Sequence, residues 1–113
     1  SMDNALLLSI HQNTFSDSRY HGAQVFYAKT ANSAELAKQL QSTFTSTINS
    51  SSNRQCKKAD GIYLMEHVSC TGILVECGFL SNPEEEARLR SAEYQKKICC
   101  VIASSVSTYL SNT

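Results

Sequence analysis

Short apolar runs dominate the first three quarters of the chain, and each has the length of a strand. The first run, ALLLSIH at residues 5–11, lacks a helical period and predicts a buried strand. Polar turn-forming residues follow it, so residues 12–22 are predicted to form a loop. Further runs at residues 23–28, 61–65 and 71–79 predict a second, a third and a fourth strand.

A helical period replaces these runs in the remaining segments. In residues 30–49, apolar side chains recur at every fourth position and predict one buried helix face. Asn32, with Glu35 three residues later, resembles a capping box at the start of this helix. Asn82 precedes Pro83 and three glutamates, an order that suits the unpaired amides and positive dipole end of a second helix. The apolar face of the first helix consists of Leu36, Leu40, Phe44 and Ile48.

A final helix is predicted over about residues 91–110. Strands that alternate with helices predict an α/β fold, in which helices flank a mostly parallel sheet. A length of 113 residues suits one domain, and we find no internal repeat or linker. The apolar positions of the final helix are Tyr94, Ile98, Val101, Ile102, Val106 and Tyr109.

Composition narrows the classes of function. Hydrophobic residues make up 42% of the chain and charged residues 18%, which is typical of a globular domain. Ten basic and ten acidic residues cancel, which argues against a nucleic-acid or anionic-membrane partner held by a basic surface. No apolar run reaches the ~20 residues of a membrane span. Five cysteines without a C-x-x-C pair argue against a zinc ribbon and a disulfide-stapled scaffold, and most are interpreted as small buried hydrophobic residues.

Two chemically active side chains belong to the predicted strands. Glu76 interrupts an apolar run, and His11 ends the first strand. Functional groups in parallel sheets gather beyond the carboxyl ends of the strands, so both are candidates for one site. Burial should raise the pKa of Glu76 towards the range of a general base. The alternatives are a structural hydrogen bond for His11, and an ion pair of Glu76 with Arg54 or Lys57 from a polar loop predicted over residues 50–60.

A histidine and a carboxylate together suggest a metal hydrolase. Neutral imidazole is a good zinc ligand, and a carboxylate that does not bind the metal can take a proton from metal-bound water. Zinc needs three protein ligands, and His11 is the one that the sequence supplies convincingly. His21 and His67 could lie near the site, but both are interpreted as surface histidines.

Four segments resemble a known protein family. They are SIHQN, GAQVFY, NRQCKKADGIYLM and GILVECGFLSNPEEEARL, and in this order they run nearly the whole length of the chain. They resemble the C-terminal half of the zinc-dependent N-acetylmuramoyl-L-alanine amidases, bacterial cell-wall hydrolases that include the sporulation and germination-specific amidases. VECGFLSNPEE is a highly specific segment, whereas SIH-x-N is modestly specific.

The resemblance implies a reaction and a site. The reaction would be hydrolysis of the amide between the lactyl group of N-acetylmuramic acid and the L-alanine of the peptidoglycan stem peptide. His11 matches a zinc ligand of the family and Glu76 its catalytic glutamate, which would act as general base and then as acid. Asn13, Arg54 and Lys57 are candidates for contact with the substrate. The implied location is outside the cytoplasmic membrane, in the cell wall or the spore cortex.

The chain also departs from the family. A glycine-flanked histidine and a later glutamate, which supply the other two zinc ligands, are missing. We therefore expect residues 1–113 to be an inactive C-terminal portion of one catalytic domain with an incomplete zinc site, and Ser1 and Met2 to be left over from cloning. The absence of the strand that carries the missing histidine would expose a sheet edge. This predicts a homodimer or a swapped assembly.

Two alternatives from other classes remain. A cysteine hydrolase would use Cys77 as nucleophile and His11 as base, but Cys77 would face away from Glu76 in a strand, and a negative neighbour discourages thiolate formation. A non-catalytic peptidoglycan-binding module would offer aromatic rings for sugars to stack on, although such rings are more often core residues. The candidate rings are those of Phe15, Tyr20 and Tyr27.

Overall fold

A computed structural model describes residues 5–48 and 54–112. Ser1 and Met2, and part of the loop predicted over residues 50–60, lie outside the described residues. Strands and helices alternate along the described chain. In order they are β1 (Leu6–Asn13), β2 (Gln24–Tyr27), α1 (Ser33–Thr47), β3 (Lys57–Lys58), α2 (Tyr63–His67), β4 (Thr71–Phe79), α3 (Pro83–Leu89) and α4 (Ala92–Ser111).

Strand β4 organises the sheet, whose strand order is β1-β4-β2-β3. It pairs in parallel with β1 and antiparallel with β2, and β2 pairs in parallel with β3. Every residue of β4 after Thr71 is buried, as expected for an interior strand with a continuous apolar run. The predicted α/β architecture with a mostly parallel sheet is confirmed.

The two faces of the sheet have different roles. Alternate residues of β4 point to opposite faces. Ile73, Val75 and Cys77 lie on the helix-covered face and pack in the main core with α1 and α4 residues such as Phe44 and Ile102. The opposite face, called the site face here, carries Gly72, Leu74 and Glu76, and a smaller cluster with Met65 of α2 covers its Leu74 end.

Helices α3 and α4 begin as the sequence predicts. The Asn82 side chain accepts a hydrogen bond of 3.1 Å from the backbone N–H of Glu85, and Pro83 occupies the first turn. Ser91 caps α4 in the same way, accepting from the N–H of Tyr94 at 3.3 Å. These caps fix the turn that leads from β4 to the final helix.

Two local predictions are wrong. The run at residues 61–65 is not a strand, because Tyr63–His67 form the short helix α2, and strand pairing is made instead by Lys57–Lys58 in the predicted loop. A five-residue apolar run does not distinguish strand from helix. Asn32 does not cap α1 with its side chain: its φ of 67° is left-handed, whereas a capping side chain needs an extended backbone.

Strand β1 ends the sheet within the described residues. Ile10 on this strand is 54% exposed, so apolar surface accompanies the sheet edge. The homodimer or swapped assembly stays a prediction. No helix in the described part of the chain is both long enough and apolar enough to cross a membrane.

Candidate active site

Three polar side chains form a row across the sheet. His11 of β1 is in register with Glu76 of β4, and Gln24 of β2 is in register with Glu76 from the other side. Side chains in register on neighbouring strands point to the same face, here the site face. The structure therefore brings together the two positions that the sequence selects. Gln24 is an addition that the sequence analysis missed, although a polar residue inside an apolar strand is the same signal that singles out Glu76.

The Glu76 carboxylate is buried and held by the backbone. Glu76 is 1% exposed, and its Oε1 accepts a hydrogen bond of 2.7 Å from the N–H of Asn13. Burial raises the pKa of Glu76, while the Asn13 amide and nearby His11 oppose the rise and the charge of Glu85 adds to it. The predicted rise in pKa is confirmed. Glu76 is bonded by the backbone amides of Asn13 and Gly78, and the Arg54 guanidinium is bonded to Gln24.

His11 offers an accessible imidazole beside this carboxylate. Its side chain is exposed, and Nε2 lies 2.9 Å from Oγ of Ser9, two residues earlier on the same strand. Over residues 5–48 and 54–112, no three histidine, cysteine, aspartate or glutamate side chains are grouped so that they could hold a metal ion. His67 stacks on Tyr63 in α2, near the start of β4, and so lies away from the Glu76 end of that strand.

Arg54 lies at the same end of the sheet as Glu76. Its Nε donates to the carbonyl of His21 at 2.7 Å, and its guanidinium donates to Oε1 of Gln24 at 2.8 Å. Because Gln24 is in register with Glu76, these bonds place Arg54 next to the polar row. Lys57 is instead in register with Phe26 on the short edge strand β3, and its side chain is exposed.

Glu85 is a second buried carboxylate that the sequence analysis missed. It is 3% exposed, and its two oxygens accept from the N–H of Gly22 at 2.6 Å and of Phe79 at 2.7 Å. These bonds join the loop after β1 to the end of β4. Gly78 allows this approach, because a Cβ there would lie 3.0 Å from Oε1 of Glu85. In the sequence, Glu85 is one of three adjacent glutamates. The favourable interaction of acids with the positive end of the helix dipole explains all three, so the sequence does not single out Glu85.

The alternative nucleophile is badly placed. Cys77 lies on the helix-covered face, opposite to Glu76, and is 3% exposed. Burial raises the pKa of its thiol to about 12, and the charge of Glu76 contributes to the rise. A thiol in this state is a poor nucleophile at neutral pH. The expectation that Cys77 faces away from Glu76 is confirmed.

The three candidate aromatic residues divide between core and surface. Tyr27 is partly buried and packs against the main core, so its ring is not an open platform. Phe15 and Tyr20 are 44% and 39% exposed, and their rings stack with centroids 4.1 Å apart. Both lie in the loop between β1 and β2, which Glu85 ties to the end of β4 through Gly22.

Comparison with known proteins places this fold in a family. Residues 1–108 match the N-acetylmuramoyl-L-alanine amidase family, and the chain belongs to that family. Among proteins of known function, it is 37% identical over 105 residues to the germination-specific N-acetylmuramoyl-L-alanine amidase of Bacillus subtilis (strain 168), a match that covers 92% of this chain and 44% of that protein.

Solved structures agree with this assignment. The CwlD amidase of Clostridioides difficile, solved in complex with the GerS lipoprotein, is 39% identical with a TM-score of 0.89, and the match covers 96% of this chain and 55% of that one. The amidase AmiC2 of Nostoc punctiforme is 32% identical with a TM-score of 0.84, covering 96% of this chain and 59% of that one. The chain thus spans about half the length of each of these three relatives.

Proposed function

We propose that this chain is the C-terminal portion of a catalytic domain that hydrolyses the amide between N-acetylmuramic acid and the L-alanine of the stem peptide. The observation that supports this most directly is the register of Glu76 with His11. A buried carboxylate with a raised pKa stands beside an accessible imidazole at the carboxyl ends of two parallel strands, in a member of an amidase family.

In this proposal, Glu76 handles the proton. The raised pKa brings the carboxylate closer to the range in which it can accept a proton from an attacking water and return it to the leaving amine. The amide of Asn13 fixes the direction of one carboxylate oxygen. Arg54, beside the row, is the candidate for contact with an anionic stem peptide, and Asn13 and Lys57 remain weaker candidates.

Zinc is the cofactor that the family implies, and the described residues do not complete a site for it. His11 is one candidate ligand, whereas a catalytic zinc needs three from the protein. We propose that the other two ligands are not among the described residues. The 113 residues by themselves would then bind peptidoglycan without cleaving it, so a binding module describes the behaviour of this chain alone.

The site of action follows from the substrate. Peptidoglycan lies outside the cytoplasmic membrane, so we propose that the protein works in the cell wall or the spore cortex. The name of the Bacillus subtilis relative supports a role in germination. A lipoprotein partner such as the one bound to the Clostridioides difficile relative is also compatible with this location.

A binding and release assay tests the proposal. The 113-residue chain, supplied with zinc, is incubated with insoluble peptidoglycan. Retained protein, bound zinc and newly exposed L-alanine amino groups are then measured. We expect retention, less than one zinc per chain and no release. In a longer polypeptide that adds two zinc ligands we expect release, which Glu76→Gln lowers about 100-fold or more and Glu35→Gln, on an exposed position of α1, leaves unchanged.

Three results would contradict parts of this proposal. Release that survives Glu76→Gln would remove the acid from the mechanism. One zinc per chain together with turnover by the 113 residues would show that the ligand set is complete. A chain that is not retained on peptidoglycan would refute recognition of this substrate.

A further inference from the structure

A layered stack of side chains lies in the loop between β1 and β2. The Phe15 and Tyr20 rings are stacked with an interplanar angle of 29°, and the Arg54 guanidinium lies 4.9 Å from the centroid of the Tyr20 ring. A ring has two faces, so Phe15 covers one face of Tyr20 and Arg54 covers the other. Phe15 is therefore the outermost layer, and we call the side of its ring that faces away from Tyr20 its outer face. Phe15 is 44% exposed, so part of the residue is open to solvent.

The stack is fixed from several sides. The Tyr20 ring meets the Phe79 ring edge to face at 5.7 Å, and the Arg54 guanidinium also lies 5.1 Å from the Phe79 centroid. The N–H of Phe15 donates to Oγ of Ser81 at 2.9 Å. Asn82, the cap of α3, donates from its side chain to the carbonyl of Ser18 at 3.0 Å. An aromatic ring held in this way loses little further freedom when a ligand binds to it.

The stack stands at the end of the sheet that carries the acid. Phe79, which supports Tyr20, follows Glu76 by three residues on β4. Arg54, which supports the other side of Tyr20, is bonded to Gln24 in register with Glu76. A ligand on the outer face of Phe15 would thus lie on the flank of the candidate active site.

We propose that the outer face of Phe15 is a subsite for one sugar ring of the glycan strand, an inference that rests on the proposed function. The C–H bonds on one face of a pyranose ring form an apolar surface that fits an aromatic face, while the hydroxyl and acetamido groups stay in water. The amide to be hydrolysed joins a sugar substituent to a peptide, so sugar must lie on one flank of Glu76. The preformed ring assigns that flank to the loop between β1 and β2.

The chain contains a matched control for this subsite. Tyr63 of α2 is 75% exposed, and its ring stacks on His67 with centroids 3.9 Å apart. It therefore presents a stacked ring that is more exposed than that of Phe15. Tyr63 lies near the start of β4, whereas the Phe15 and Tyr20 stack lies near its end. The strand from Gly72 to Phe79 is roughly 23 Å long at about 3.3 Å per residue, so the two rings are well separated.

Nuclear magnetic resonance titration of the 113-residue chain tests the subsite. The probes are a β-1,4-linked N-acetylglucosamine tetramer, which has no peptide, and a synthetic stem tetrapeptide, which has no sugar. We expect the tetramer to shift the ring protons of Phe15. Phe15→Ala should weaken tetramer binding about tenfold, Phe15→Tyr should keep it within about threefold, and Tyr63→Ala should leave it unchanged.

The outcomes distinguish failure of the sugar subsite from failure of the proposed function. If Phe15→Ala binds the tetramer as well as the unmodified chain does, or if the tetrapeptide shifts Phe15 and the tetramer does not, the sugar subsite is wrong. Retention on insoluble peptidoglycan would then still support the amidase proposal. If the chain binds neither probe and is not retained on peptidoglycan, both proposals fail.

Discussion

At the scale of single residues, the informative positions are polar side chains in places where the strand pattern calls for apolar ones. Glu76 is 1% exposed, and the amide of Asn13 satisfies only part of its hydrogen-bonding capacity. Burying a carboxylate disfavours its charged form. The fold therefore tolerates Glu76 at the expense of stability, which is common for groups that carry chemistry.

Glu76→Gln should stabilise the chain at neutral pH. Because burial raises the pKa of Glu76 in the folded state, its protonation favours folding, and this contribution is lost as pH rises through the folded-state pKa. We expect the variant to be more stable than the unmodified chain by about 1 kcal/mol at pH 7. Below about pH 4 both forms carry a neutral side chain, and the difference should vanish.

Urea denaturation at several pH values measures this difference, with Glu35→Gln as an exposed control whose stability should follow the unmodified chain. A Glu76→Gln variant that is less stable at pH 7, or a gap that does not depend on pH, would refute the effect of burial on this carboxyl.

At the level of single residues, the sequence singles out a polar side chain where it breaks an apolar run. Glu76 and His11 are found in this way, and Gln24 in AQVFYA carries the same signal. Glu85 cannot be identified from such a pattern, because its two partners are backbone amides, one of them 63 positions away at Gly22. Contacts of this kind depend on how the loop after β1 folds back, which the local pattern does not record.

At the scale of elements, the turn between β4 and α3 connects the strand with the acid to the loop with the aromatic stack. Glu85 joins them by accepting hydrogen bonds from Gly22 and Phe79. The strands predicted over residues 5–11 and 71–79 are long or continuous enough to be recognised. The run at residues 61–65 is too short to be recognised as helix or strand. In the helix that it enters, α2, Met65 is buried and its neighbours are exposed.

Glu85→Ala should destabilise the chain by about 3 kcal/mol, because it leaves two buried N–H groups without acceptors at about 1 to 3 kcal/mol each. Glu84→Ala, one position earlier on α3, removes an exposed carboxylate whose distance to Arg88 is 3.7 Å. This control should change the free energy of unfolding by less than about 0.5 kcal/mol. Equal effects of the two substitutions in chemical denaturation would contradict the bridging role of Glu85.

At the scale of the whole molecule, β1 is both the edge of the described sheet and the strand that carries His11. Strand β1 pairs with β4 on one side, and its other side is unpaired among the described residues. The same edge borders an apolar groove of about 620 Å³ between β1 and α4. Its apolar lining includes Leu8, Ile10, Ile102, Val106 and Leu110.

A single substitution that introduces a charge tests self-association through this edge. An unpaired strand beside apolar surface is a template for a second chain, so we expect a dimer at high protein concentration. Ile10→Lys should weaken the association about tenfold or more, because it would bury a charge in the interface. Leu64→Lys, at a 47% exposed position of α2, should have no effect. Sedimentation that shows a monomer at every concentration would contradict the dimer.

The hydrogen bond that Asn13 donates to Glu76 determines which substitutions position 13 can tolerate. Asn13 holds the acid with its main-chain N–H, a group that nineteen of the twenty amino acids possess. Position 13 can therefore accept other side chains while this bond to the acid is kept, whereas proline at this position would remove the bond. A related chain with a different residue at this position can thus keep its acid in the same orientation.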